Sequence, residues 1–131
     1  MNIVGKRVAY ITLGCKLNFS ETSTIKHNLE QEGAVTVGEK DGADIFVINT
    51  CSVTDIAEKK GRQMIRKIIH RNPGSYIVVV GCYAQLRAQE IMNIEGVHLV
   101  LNARDKFNVA HYLNHLEEQE RHEPHSCDIF E

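Results

Sequence analysis

Three short apolar runs, each followed by a stretch of helical spacing, constrain this chain more than any other feature. Residues 7–12 (RVAYIT), 44–49 (DIFVIN) and 76–80 (YIVVV) are rich in β-branched and aromatic side chains, the composition of strands. The last two are nearly all apolar, as strands covered on both faces are. After the first run, residues from about 18 to 32 set Ile25 and Leu29 four apart, and residues 54–71 repeat apolar positions at helical intervals. Asn18 with Glu21, and Ser52 with Asp55, have capping-box spacing. Gly33 and the Asn72-Pro73-Gly74 cluster are stop signals. Residues 34–37 and 97–101 are two further strand candidates, and residues 84–93 and 105 to about 120 two further helices.

Strands alternating with helices predict an α/β chain with helices on both faces of a mostly parallel sheet. Five strands predict the flavodoxin-like three-layer sandwich, in the order 2-1-3-4-5. One stretch strains this expectation. Residues 38–44 are all that separate the second and third strands, whereas a parallel crossover usually takes a dozen residues or more. Either a single helical turn fills the gap or the second strand is very short.

Cys15, Cys51 and Cys82 each fall just after one of the three main runs, between a strand and a helix. In the predicted order those strands are neighbours, and parallel strands end on one edge. The three thiols are therefore expected on one rim, beside the switch point where such sheets bind ligands. A helix N-terminus favours the thiolate, and three thiolates on one rim suit an iron–sulfur cluster or another thiolate-rich metal site. Gly14 and Gly81 are expected to let the backbone approach a bulky ligand. Asn18 and Asn49 are candidates for hydrogen bonds around Cys15 and Cys51, or else plain cap and loop residues. A buried free cysteine is commonly inert, but three at equivalent strand ends argue for a site. Cys127 follows no strand and is expected to be incidental.

With 131 residues the chain is one domain, or two at most. Its formal net charge of −2 excludes holding nucleic acid by bulk charge alone. No apolar run approaches the 20 or so residues of a membrane span, and the N-terminus has no signal-peptide pattern. A cytoplasmic protein without membrane partners is expected, its cysteines reduced or metal-bound. One local charge feature stands out. The helix after Cys51 carries Lys59, Lys60, Arg62, Arg66, Lys67 and Arg71 mainly on one side. Lys59, Lys60, Arg62, Arg66 and Lys67 are candidate RNA contacts, against the plainer reading of a solvated amphipathic face. No aromatic residues interleave them, so base stacking is not expected. A P-loop and a Cys-x-x-Cys are both absent, which argues against a P-loop nucleotide enzyme and a thioredoxin-type oxidoreductase.

The segments Thr12-Leu-Gly-Cys-Lys-Leu-Asn-Phe-Ser-Glu-Thr22, Ile48-Asn-Thr-Cys-Ser-Val-Thr-Asp-Ile-Ala57 with Arg62-Gln63, and Val80-Gly-Cys-Tyr-Ala-Gln85 resemble the N-terminal domain of radical-SAM methylthiotransferases. Gly-Cys-Lys-Leu-Asn with Ser-Glu-Thr is similar to the branch that modifies N6-threonylcarbamoyladenosine in tRNA. The resemblance implies that residues 1–120 form an auxiliary-cluster domain and residues 121–131 a flexible tail or truncated linker. It implies Cys15, Cys51 and Cys82 as ligands of an auxiliary 4Fe–4S cluster. It implies that a full-length protein has a second 4Fe–4S cluster and cleaves S-adenosylmethionine in a barrel, with a C-terminal domain that helps bind tRNA. No Cys-x-x-x-Cys-x-x-Cys occurs in this sequence, so no catalytic residue is assigned here and this domain alone is not expected to turn over. The alternative is a flavodoxin-like module that binds flavin or a partner protein, its cysteines incidental.

Overall fold

A computed structural model describes residues 3–13, 16–50, 55–81, 93–94, 96–101 and 106–114. Five strands, β1 (Arg7–Thr12), β2 (Val35–Thr36), β3 (Ile45–Thr50), β4 (Tyr76–Gly81) and β5 (Leu99–Leu101), form one sheet. The order is β2-β1-β3-β4-β5 and every pairing is parallel, as the alternating pattern predicts. Helices α1 (Lys16–Gln31), α2 (Asp55–Arg71) and α3 (Val109–Asn114) flank it, α3 being preceded by a 3-10 turn at Lys106–Asn108. The expected helix at residues 84–93 lies outside the described residues except for Asn93, which is in a turn, and the tail from residue 121 lies wholly outside them.

Strand alternation divides the core into two faces. Val8, Ile45, Val47, Val78, Val80, Leu99 and Leu101 pack on Ile25 and Leu29 of α1 and on Val109 and Leu113 of α3. Ala9, Ile11, Phe46, Ile48, Ile77, Val79 and Val100 pack on Ile65 and Ile68 of α2. Each side chain fully withdrawn from water contributes roughly 1.5–3 kcal/mol, so the central strands supply most of the stability on both faces.

The short link between β2 and β3 has a simple geometric reason. Thr36 and Ile45 both register against Val8, on opposite sides of β1. The link starts and ends at one level of the sheet and has only about 10 Å to cover, two strand spacings. Residues 37–44 cross that distance without a helix, and β2 is two residues long. Arg7 anchors the link: its backbone N–H donates to Asp44 Oδ2 at 3.0 Å and its guanidinium donates to the Asp41 carbonyl.

Gly33 ends α1 as the sequence predicts. At φ +98° it occupies the left-handed region, with Gly33 N–H donating to the Glu30 carbonyl at 3.0 Å and Ala34 N–H to the Leu29 carbonyl at 3.1 Å. That paired closure is a Schellman motif, its apolar contact made by Ala34 and Leu29.

At the opposite edge from the cysteine-bearing strand ends, His98 takes the place of a ladder partner. Its backbone N–H donates to the Ile77 carbonyl at 3.0 Å, and its Nδ1 accepts from Ile77 N–H at 3.1 Å. The ring stacks on Tyr76 with centroids 4.6 Å apart. Burial pushes the Tyr76 phenol above its ordinary range. Burial also pushes Tyr10 up, partly countered by the Thr36 hydroxyl and reinforced by the Glu30 carboxylate. Among the described residues the buried Tyr10 hydroxyl has no well-formed hydrogen bond, the neighbouring Thr36 hydroxyl donating instead to Glu30 Oε2 at 2.7 Å. The sign follows from linkage. Unfolded phenols ionise near pH 10, while the folded ones hold their protons to higher pH. Stability is therefore complete below about pH 10 and falls above it. The Tyr10→Phe, Tyr76→Phe double variant is expected to flatten the decline of the urea midpoint between about pH 9 and 11; parallel declines in variant and parent would rule the assignment out.

Candidate functional site

The strands that precede the three cysteines end side by side. Thr12 pairs with Asn49, and Thr50 pairs with Gly81. Leu13 N–H donates to the Asn49 carbonyl at 2.8 Å, so Leu13 extends β1 to the level of Thr50. Neighbouring strands lie about 4.8 Å apart. The chain thus leaves β1, β3 and β4 at one edge within about 10 Å. Cys15, Cys51 and Cys82 themselves lie outside the described residues, as does Gly14. Among the described residues no group of three or more histidine, cysteine, aspartate or glutamate side chains gathers at metal-binding distance.

The described part of this edge is a buried polar cluster. Asn49 and Thr50 are fully buried, Asn18 and Thr22 nearly so. Asn49 Nδ2 donates to the Asn18 carbonyl at 2.9 Å and to Thr22 Oγ1 at 3.2 Å. Asn18 Nδ2 donates to the Thr50 carbonyl at 3.2 Å and reaches Asn49 Oδ1 at 3.5 Å. Thr12 Oγ1 donates to Thr22 Oγ1 at 2.8 Å, and Thr22 Oγ1 donates to the Asn18 carbonyl at 3.0 Å. On the other face, Thr50 Oγ1 donates to the Val80 carbonyl at 2.9 Å. These bonds tie the first turns of α1, just after residue 15, to the end of β3, just before residue 51.

The cluster corrects two expectations. Asn18 is not a helix cap: α1 begins at Lys16, so Asn18 lies inside its first turn and its amide reaches across to β3. A polar residue near a helix start reads as a cap when its distant partner is unknown, and here the partner is 32 residues away. The second correction concerns Gly81. At φ +110° it faces protein, not open space. A Cβ there would lie 2.6 Å from the Thr50 carbonyl oxygen and 2.8 Å from Asn49 Oδ1. Asn18 and Asn49 bond to each other in this cluster, while the cysteines they are expected to serve lie outside the described residues. Thr12, Thr22 and Thr50 belong to the same cluster and were not singled out from sequence. The available signal was the replacement of apolar residues by Thr12 and by Asn49-Thr50 at the ends of apolar strands.

Of the candidate RNA contacts, Lys59, Lys60, Arg66 and Lys67 are exposed on α2, while Arg62 is half-buried. Gly61, Ile65 and Ile68 are buried on the side facing the sheet. The exposed Phe19 and Ile56 sit in α1 and α2 within five residues of Cys15 and Cys51 in sequence.

A family model described as "Uncharacterized protein family UPF0004" matches residues 7–102. The threonylcarbamoyladenosine tRNA methylthiotransferase MtaB of Bacillus subtilis (strain 168) is 42% identical over 112 residues, 86% of this chain and 25% of that protein. The protein of the same name from Aquifex aeolicus (strain VF5) is 38% identical over 116 residues, 88% of this chain and 28% of its own length. The ribosomal protein uS12 methylthiotransferase RimO of Roseiflexus sp. (strain RS-1) is 29% identical over 110 residues. The chain spans about a quarter of the length of these curated relatives. Among solved structures, the isolated REC domain of RcsB from Salmonella enterica serovar Typhimurium, in its apo form, superposes with a TM-score of 0.65 at 16% identity, covering 96% of this chain and 98% of that one. That likeness shows the fold alone.

Proposed function

This chain belongs to the family described as uncharacterized protein family UPF0004, and from that premise we propose that it is the N-terminal, auxiliary-cluster domain of a tRNA methylthiotransferase acting on N6-threonylcarbamoyladenosine. One coincidence carries the proposal. Cys15, Cys51 and Cys82 follow three adjacent parallel strands in a chain 42% identical over 112 residues to a threonylcarbamoyladenosine tRNA methylthiotransferase. Residues 1–120 are assigned to this domain and residues 121–131 to a tail or linker.

The donor chemistry fits the group. Cysteine thiolates are the usual ligands of an iron–sulfur cluster, commonly four of them, and three strands that end side by side at one edge support the reading that the cysteines following them share one cluster with one iron left over. Cys15, Cys51 and Cys82 would hold a 4Fe–4S cluster that supplies one iron without a protein ligand, a position open to a sulfur species. The chain's own contribution is positional. Asn49 bonds the first turns of α1 and so restrains the segments leading to Cys15 and Cys51 together. Asn18 adds a second tie to the Thr50 carbonyl, the residue bonded covalently to Cys51. A second 4Fe–4S cluster and S-adenosylmethionine belong, in this proposal, to a radical-SAM barrel in the full-length protein, so this domain alone does not turn over. A cytoplasmic setting follows from the thiolate ligands and the tRNA substrate. Among the described residues no helix is long and apolar enough to cross a membrane.

Anaerobic reconstitution with iron and sulfide tests the assignment. The expected result is about four irons per chain with broad visible absorption, and loss of that binding when Cys15, Cys51 and Cys82 are replaced by alanine without loss of secondary structure. Iron uptake that survives the triple substitution, or a folded chain that takes up flavin and no iron, would overturn it.

A further inference from the structure

The C-terminal half of α2, from Met64 to Arg71, forms a cleft with the β2–β3 link. It has a volume of about 220 Å³. Lys40 of the link and Lys67 and Arg71 of α2 converge on it, with Glu39 as the one carboxylate in the lining. All four are exposed. Among the described residues none of the three cations makes an ion pair or hydrogen bond through its side chain. Lys60 continues the line toward the cysteine-bearing edge. Steps of seven and four residues from Lys60 to Lys67 to Arg71 keep all three on one side of the helix. That strip is about 16 Å long at 1.5 Å per residue. Lys59 and Arg66 project from a different part of the exposed face, roughly 100° around the helix.

We propose that Lys60, Lys67, Arg71 and Lys40 hold the phosphodiester backbone of a single RNA strand running along α2, a contact that rests on the tRNA substrate proposed above. Three cations against the single carboxylate of Glu39 leave a net positive cleft, and an anion relieves the repulsion among them. The length of the strip favours a repeating anion over a discrete one. No glycine is among the described residues lining the cleft, so no bare backbone is offered there to cage a single phosphate. The apolar floor is Phe46, fully buried, with Met64 and Ile68. The one aromatic ring in the described cleft lining, Phe46, is buried and cannot stack a base, so the contact reads the backbone and not the sequence.

The test is fluorescence anisotropy of a labelled single-stranded oligoribonucleotide with the full chain across a salt series. Replacing Lys67 and Arg71 by alanine is expected to weaken binding about tenfold or more and to lower the slope of log affinity against log salt by about 1.4, two contacts at about 0.7 each. The Lys59→Ala, Arg66→Ala pair removes the same charge from the same helix and is expected to leave both nearly unchanged. Equal losses from the two pairs, absence of RNA binding, or displacement of the RNA by equimolar AMP or pyrophosphate would each overturn the proposal. Iron loading is measured separately and does not depend on α2 charges, so loss of the RNA contact leaves the cluster assignment intact, and failure of iron loading leaves the RNA result to be read by itself.

Discussion

Replacing Gly81 with alanine is expected to destabilise the folded chain by roughly 3 kcal/mol or more. Two costs combine. Gly81 has φ +110°, which L side chains adopt only under strain. The added methyl would also meet the Thr50 carbonyl oxygen at 2.6 Å, the Thr50 nitrogen at 3.1 Å and Asn49 Oδ1 at 2.8 Å. Two of those three atoms are backbone of β3, held by pairing to Gly81 itself, so they have little freedom to yield. Gly74 is the internal control. It has φ +97° and a Cβ there would meet nothing within 4 Å. Alanine at 74 should cost about 1 kcal/mol from conformation alone. Urea unfolding with unchanged slope measures both. Equal losses at the two positions would show that the crowding at β3 is not real.

Asn49→Leu is the second large effect, with an expected cost of about 2–4 kcal/mol. The fully buried Asn49 amide donates to the Asn18 carbonyl and to Thr22 Oγ1. Leucine removes both donations and leaves the Asn18 amide facing an apolar group. Asn49→Asp keeps the shape but exchanges a donor for an acceptor. Its carboxyl would confront the Asn18 carbonyl and the Thr22 oxygen, so it should fold with its proton retained. Folding then holds that pKa above the unfolded one, and stability is lost as pH rises above the unfolded aspartate value of about 4. The expected pattern is an aspartate variant closer to the parent at pH 5 than at pH 8, and a leucine variant whose deficit is the same at both. A pH-independent aspartate variant with parent-like stability would remove the cluster's role as the tie between α1 and β3.

These two positions mark where sequence reasoning and tertiary structure part. The near-continuous apolar runs at residues 44–49 and 76–80 announce buried strands because a strand covered on both faces has no use for polar side chains. Gly33 announces a helix end because its conformational freedom acts locally. The strand order and the edge preceding Cys15, Cys51 and Cys82 follow from those local signals plus chain connectivity. By contrast, Asn18 resembles a cap because its sequence neighbourhood does. Its amide bonds residue 50, and no local pattern records a partner so far away. Gly81 looks like clearance for a ligand, but the space beside it is filled by Thr50 and Asn49. The β2–β3 link is short for a crossover because Thr36 and Ile45 share one level of the sheet, a register that no local pattern records.

The sequence by itself determined the layers, the sheet order, the helix stops and the convergence of the three strand ends that precede Cys15, Cys51 and Cys82 in the chain, since each rests on periodicity, turn chemistry or parallel connectivity. Only the tertiary structure decided which polar residues seal that edge, why Gly81 tolerates no side chain, how residues 37–44 cross β1 without a helix, and which of the α2 cations share a cleft with Lys40. Those outcomes depend on distances between residues far apart in the chain, and packing and register set them.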